Sequence, residues 1–292
     1  MPDRQIKSRT YFDASGLPLA IVRGNPQSTI ATHSHEFTEL VLVLSGQGTH
    51  VVARDRYPIG GGDVFVIMRG EGHAYRNTRD LRLVNILFDL DRLRVPLADL
   101  QSLPGYHVLF TLEPRYRRAH RFTSHLRLGE EELSHAAALI TRIEGELAAK
   151  APGYRFAATA VFMDMIGGLC RAYSKAGQPI ARSLLRIGEA IGYLENHYAE
   201  PVSVARLARI AHLSERSLLR EFRRAVGRSP IQHLIRLRIA KAADLLRAGG
   251  LNVTQAAFAV GFADSNYFTR QFRRITGRSP RQLRSARPDA GS

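Results

Sequence analysis

Two groups of side chains in this sequence have the types and spacing to do chemistry. In the stretch ATHSHEFTELVLVLSG, His33, His35 and Glu39 share parity, so on an extended chain all three point to one face. Downstream, GDVFVIMRGEGHAYRN places His73, Tyr75 and Asn77 on a common face in the same way. Three imidazoles and a carboxylate are adequate ligands for a divalent ion. The same groups can hydrogen-bond the hydroxyls of a small polar molecule, or can simply pair with one another in a core. Ligand contact through His33, His35, Glu39, His73 and Tyr75 is preferred here, with no resident metal. Were a metal held, His33, His35, Glu39 and His73 would be its ligands.

The second group is a repeat. Residues 220–230 read REFRRAVGRSP and residues 270–280 read RQFRRITGRSP, eight identities in eleven at an offset of fifty. Each copy describes a short helix (about 203–210 and 253–260), a tight turn, and a second helix (about 215–226 and 265–276). Ser214 and Asp264 are suited to cap the second helices, and Gly227 and Gly277 to stop them. Helix, short turn and helix make a helix-turn-helix unit, whose second helix enters the major groove of DNA. With Leu218, Phe222, Phe268 and Phe272 forming the buried stripes, the base-facing candidates are Arg216, Leu219 and Arg220 in the first unit and Ser265, Asn266 and Arg270 in the second. Arginine suits guanine and asparagine suits adenine by bidentate geometry, whereas leucine can only touch a thymine methyl. Arg223, Arg224, Arg228, Arg273, Arg274 and Arg278 flank these faces and fit phosphates.

Net charge supports that partner. The 292 residues carry 42 basic and 26 acidic side chains, for +16. Residues 181–292 account for +12 of this, while residues 1–180 hold only +4 and need no polyanion. A membrane surface is the other polyanion to weigh, but the arginines are interleaved with caps and stops of a groove-reading motif. No stretch approaches the roughly 18 apolar residues of a membrane span. The N-terminus has no apolar signal core, and the single cysteine, Cys170, lies in an apolar run as a buried thiol. A cytoplasmic protein is expected.

The elements that must position these residues differ between the halves. Residues 17–127 hold about eight short strands (19–23, 29–33, 37–44, 48–54, 63–67, 73–77, 81–88 and 106–112) separated by turn signals such as Gly46-Gln47-Gly48 and Gly60-Gly61-Gly62-Asp63, the pattern of a small barrel. Residues 130–150 and 154–173 read as helices, the second with Phe156, Val161, Met165, Leu169 and Tyr173 on one apolar face. The segment 174–183 is rich in Gly, Pro and Ser and reads as a linker. IQHLIRLRIAKAADLLR (231–247) is an uninterrupted helix joining the two repeat units.

Residues 184–285, with AAFAVGFADSNYFTRQFRRITGRSPRQLR as the clearest stretch, resemble the AraC/XylS-type DNA-binding domain. That resemblance implies a double helix-turn-helix domain in a transcription regulator, most often an activator that contacts RNA polymerase. It departs at Leu219, where a polar reader is common. The front half resembles the cupin pattern H-x-H-x(3)-E-x(6)-G followed by G-x(5)-P-x-G-x(2)-H-x(3)-N, with Met68 in place of the proline. HSHEFTELVLVLSGQGTHVV, YPIGGGDVFVI, LRLVNILFD and LPGYHVLFTLEPRYRRAHRF look most like the L-rhamnose-responsive members, which implies a sugar effector and a homodimer formed through the helical segment.

The resulting expectation is an α+β chain: a cupin-like sensing barrel (1–128), a helical dimerisation segment (129–176), a linker (177–183) and an all-α domain with two helix-turn-helix units (184–287). The function expected is sequence-specific binding of double-stranded DNA under control of a small ligand, without catalysis and without a required cofactor. Two alternatives differ in class. One is a metal-dependent cupin enzyme carrying a DNA-targeting domain; the other is a non-specific architectural DNA binder, which the unlike readers Arg216 and Asn266 argue against.

Overall fold

A computed structural model describes residues 4–12, 16–93, 95–97, 99–118, 126–175 and 179–285. The chain divides into two compact units, Met1–Gly188 and Glu189–Ser292. Among the described residues no helix is long and apolar enough to cross a membrane.

The first unit is built on strands β1 (Arg4–Ile6), β2 (Leu19–Gly24), β3 (Ile30–His35), β4 (Thr38–Val52), β5 (Asp55–Gly60), β6 (Asp63–Ile67), β7 (His73–Phe88) and β8 (Leu126–Arg127). Its sheet runs β1-β3-β7-β4-β6-β8, with β2 also on β7 and β5 also on β4. β4 and β6 are apolar on both faces (LVLVL and VFVI), and the pleat sends alternate residues, Val41, Val43, Phe65 and Ile67, into one core with Tyr75, Leu81 and Leu83 of β7. Gly60-Gly61-Gly62-Asp63 is the turn expected, with the Asp63 carboxylate accepting from Gly60 N at 2.7 Å.

Gly46-Gln47-Gly48 does not end a strand. The expected strands 37–44 and 48–54 are one strand, β4, whose ladder with β7 is irregular on either side of Gln47. Gly46 adopts φ +75°, and a Cβ there would lie 2.1 Å from Asp80 O, so the glycine admits a bulge rather than a turn. The expected strands 73–77 and 81–88 are likewise fused in β7, and β5 is a strand the pattern missed.

The expected strand 106–112 is helical. Pro104 opens helix α2 (Pro104–His107), which follows a one-turn helix α1 (Leu90–Leu93) and passes through a π turn (Val108–Leu112) into α3 (Glu113–Arg118). Pro114 has no N–H, so the α-type bond to Phe110 O cannot form; Glu113 N instead bonds Val108 O, five residues back. Val108, Leu109, Phe110 and Leu112 are all buried, which gave the run its strand-like apolar density.

Helices α4 (Glu130–Ala149) and α5 (Tyr154–Lys175) follow as expected. The apolar face of α5 is buried at Val161, Met165, Leu169 and Tyr173, but Phe156 is 82% exposed and does not join it. Of the expected linker, residues 177 and 178 lie outside the described residues. Residues 179–183 form the start of helix α6 (Pro179–Asn196), because Pro179 sits at the helix start, where its missing N–H costs nothing.

The second unit continues with α7 (Val204–Ile210), α8 (Glu215–Val226), α9 (Pro230–Ala248), α10 (Val253–Ala259), α11 (Ser265–Thr276) and α12 (Pro280–Ser285). The bounds are set by the capping chemistry read from the sequence. Ser214 Oγ accepts from Ser217 N, Asp264 accepts from Asn266 N, and Gly227 and Gly277 stop the helices at φ 73° and 75°. Ser229 and Gln232 form a capping box ahead of α9, with Pro230 at its first position. Phe262, Phe268 and Phe272 pack on Ile239 and Leu246 of α9, fixing the second helix-turn-helix to the joining helix.

Candidate ligand cavity and DNA-reading surface

A cavity of about 500 Å³ opens in the barrel. Strand alternation brings His33, His35 and Glu39 into its lining, as the shared parity requires, although the turn at Glu36–Phe37 interrupts the strand between them. His35 Nδ1 lies 2.6 Å from Phe37 O and its ring stacks on Phe37 at 4.6 Å, which leaves Nε2 facing Glu39 Oε2 at 3.3 Å. His73 lies behind, its ring 4.2 Å from that of His33 and 5.3 Å from that of His35. Tyr75 is deeper still, with its ring 6.0 Å from His73. Neither His73 nor Tyr75 lines the cavity, so three of the five expected ligand contacts reach it directly.

Asn77 is not on this face: it is exposed and adopts φ +49°, because β7 bulges there. Sequence reasoning also missed residues that belong to the cavity. Asn85 lines it beside Glu39, Gln27 and Phe37. A single amide inside the apolar run LRLVNILF was the available signal for Asn85. His50 was missed as well; it is fully buried, stacks on Phe65 at 4.6 Å and lies 5.8 Å from His73, because the register sets it opposite Tyr75.

The electrostatics divide the cluster. Burial opposes ionisation of Glu39, but the hydrogen bond from His35 and the nearby His73 and His33 outweigh it and hold the carboxyl below its ordinary value. Burial pushes His73 down to about 4 against the pull of Glu39, and pushes the Tyr75 hydroxyl well above its usual range. Glu39 Oε1, His73 Nε2, Tyr75 OH and Asn85 Oδ1 are buried with no hydrogen-bond partner among the described residues. Such atoms are costly unless something pairs with them.

His35, Glu39 and His73 bring ligand atoms within 4.8 Å of one another, and the unpartnered Glu39 Oε1 and His73 Nε2 suit a divalent ion. His33, with Nδ1 3.1 Å from Ala31 O, stands outside that set. An ion held by the three would supply a Lewis-acid anchor for a ligand oxygen. The same donors serve directly as hydrogen-bond partners.

In the second unit, α8 and α11 each present one exposed polar face. Arg216, Leu219 and Arg220 are exposed on α8, as are Asn266 and Arg270 on α11, with Ser265 half-buried at its start. The two faces are not equivalent. Arg220 Nε donates to Glu221 at 3.0 Å, and Arg224 Nη1 lies 3.8 Å from the same carboxylate. Arg270 instead rests 5.9 Å from the ring centre of Tyr267, and position 271 is a neutral glutamine. Tyr267 and Thr269 are also exposed on the α11 face and were not singled out from the sequence, although Leu219 at the position equivalent to Thr269 was. Arg223, Arg224, Arg273, Arg274 and Arg278 are exposed and Arg228 is half-buried.

The AraC-like ligand binding domain family matches residues 18–166, and a helix-turn-helix domain family matches residues 207–286. The chain is 35% identical over 283 residues to the HTH-type transcriptional activator RhaS of Escherichia fergusonii, covering 97% of this chain and 98% of that one. It is 33% identical to RhaS of an Enterobacter species, covering 97% of both. Among solved structures, an AraC-type transcriptional regulator from Chromobacterium violaceum is 29% identical and aligns with 38% of this chain and 99% of its own, at a TM-score of 0.36. These relatives are regulators, and the alternative of a cupin enzyme is set aside. With a ligand-binding barrel in one unit and paired helix-turn-helix elements in the other, the chain belongs to the AraC family of DNA-binding transcription regulators.

Proposed function

We propose that this chain is a sugar-responsive transcription activator whose effector, L-rhamnose or a closely related sugar, sits in the barrel cavity. The observation that carries this reading is the pair of buried acceptors, Glu39 Oε1 and Asn85 Oδ1, that line the cavity without hydrogen-bond partners among the described residues. A sugar hydroxyl supplies the donor each lacks, while Phe37 and Leu87 in the same lining offer apolar surface to a ring face. His33 and His35 complete the polar side, with His73 and Tyr75 supporting them from behind. The choice of L-rhamnose follows the resemblance of the barrel segments to rhamnose-responsive regulators. Activation follows the printed function of the RhaS relatives.

In this reading Arg216, Leu219, Arg220, Ser265, Asn266 and Arg270 face base edges. The six flanking arginines hold phosphates, RNA polymerase is the downstream partner, and the protein acts in the cytoplasm as a homodimer. By linkage, the sugar must bind the DNA-competent state with a different affinity, and DNA must change sugar affinity by the same factor.

Isothermal calorimetry of the full chain against a panel of sugars headed by L-rhamnose tests the effector. Saturable heat with L-rhamnose, reduced at least about tenfold in affinity by Asn85→Ala, is the expected result. Absence of binding by every sugar in the panel overturns it.

A further inference from the structure

The segment Arg76-Asn77-Thr78-Arg79-Asp80-Leu81-Arg82 repeats arginine every third residue. On a regular strand that spacing sends successive arginines to opposite faces. Here it does not. Asn77 and Asp80, the residues between, adopt φ +49° and +45°, and the β4–β7 ladder shifts register at each step. The two bulges set Arg76 opposite Thr49, Arg79 opposite Gln47 and Arg82 opposite Ser45. All three arginines are exposed. They form a row on the outer surface of the sensor, each step spanning two residues of β4, about 7 Å. The next position of this register on β7, opposite Val51, is Ala74, so the row on β7 ends at Arg76; Arg56, opposite Val51 on β5, is exposed across β4 and lies beside the row.

None of the four makes an ion pair or a side-chain hydrogen bond among the described residues. Two bulges with left-handed, non-glycine residues cost conformational free energy, and their combined effect is to align unpaired positive charge. The +4 of the first 180 residues therefore conceals a local concentration of charge that the sequence total does not reveal.

We propose that this row is a second phosphate-binding surface, which holds the backbone of the same duplex that the helix-turn-helix units read. The proposal rests on the DNA binding established for the family. Its neighbours across the strand, Ser45, Gln47 and Thr49, are polar, and the large exposed apolar side chains of the described residues lie elsewhere in the chain. A protein partner would want an apolar centre within the patch; a hydrated phosphate backbone does not. Tethering also favours DNA, because a chain already bound by its second unit keeps its sensor at high local concentration near the flanking duplex.

The test is the salt dependence of full-length protein binding to a fluorescent random-sequence duplex of about 60 base pairs, followed by anisotropy. Each phosphate contact contributes about 0.9 to the slope of log K against log salt, so R76Q/R79Q/R82Q is expected to flatten the slope by about 2 to 3. R76K/R79K/R82K, which keeps the charge, is expected to retain the wild-type slope. R79Q alone, the mildest change, is expected to remove about 0.9. A triple glutamine variant with the wild-type slope overturns the proposal. If that variant also lowers transcription with purified RNA polymerase, the row meets an acidic protein surface instead of DNA.

Discussion

Tyr173 of α5 donates its hydroxyl proton to Glu113 at the start of α3, joining two elements sixty residues apart inside the sensor. Arg117, one turn along α3, sets Nη1 3.9 Å from the other carboxylate oxygen, and both side chains are fully buried. Burial dominates: it pushes the Glu113 carboxyl up to about 8, although Arg117 and Tyr173 pull the other way. The folded chain thus keeps a proton that the unfolded chain, titrating near 4.5, gives up. The stability this confers is complete below about 4.5 and is lost as pH rises towards about 8. His107 acts in the opposite direction; burial lowers it from 6.5 to about 4, so its contribution is lost as pH falls through that window. Of these two groups, the glutamate alone titrates above pH 6.5. Sensor stability should therefore fall between pH 6.5 and 8, with a slope of up to one proton released per chain unfolded. Glu113→Gln should abolish that slope in thermal unfolding, and an unchanged slope would assign the effect to another group.

The two helix-turn-helix turns solve one geometric problem with different residues. Gly261 turns at φ +87° and His212 at φ +51°, both in the left-handed region. A Cβ on Gly261 would lie 2.4 Å from Ala199 O, so Gly261→Ala should cost at least about 1–3 kcal/mol through strain and backbone displacement. His212→Gly should stay within about 1 kcal/mol of wild type, since relieved strain offsets added freedom of the unfolded chain. Denaturant midpoints of the two variants compare them directly; equal losses would contradict the account.

Arg270 and Arg224 should separate sequence reading from charge. Arg270→Ala should cost about 1–3 kcal/mol on a selected operator and relax the preference at one base pair. Arg224→Ala should weaken all duplexes alike and reduce the salt slope by about 0.9. Binding measured on selected and scrambled duplexes distinguishes them. Loss of equal size on both duplexes for Arg270→Ala would remove it from the base readers.

What could be read from sequence followed local chemistry. Caps such as Ser214 and Asp264 and stops such as Gly227 and Gly277 act within a few residues, so helices α7 to α11 were legible to within a residue or two. Parity placed His33, His35 and Glu39 together for the same reason. It failed for Asn77, where a bulge resets the alternation, and a bulge depends on the partner strand. The run at 106–112 was misread because helices and strands buried on every side have the same apolar density, and only Pro104 and Pro114 hinted otherwise. Asn85 joins the cavity through a register across β4 and β7 that no local pattern encodes.

Cys170 provides a probe of how α2 seats on α5. Burial raises its thiol to about 12, so the native protein should resist thiolate-directed reagents such as dithionitrobenzoate at neutral pH. The cover is close: a Cβ on Gly105 of α2 would stand 2.0 Å from Cys170 O and 3.2 Å from Ser174 Oγ. Backbone cannot give way as a flexible side-chain end can, so Gly105→Ala must lift α2 from α5. Labelling of Cys170 should then accelerate at least about tenfold at a temperature where both proteins remain folded, because local opening replaces global unfolding as the route to the thiol. Labelling at the wild-type rate would show that α2 is not the barrier that protects Cys170.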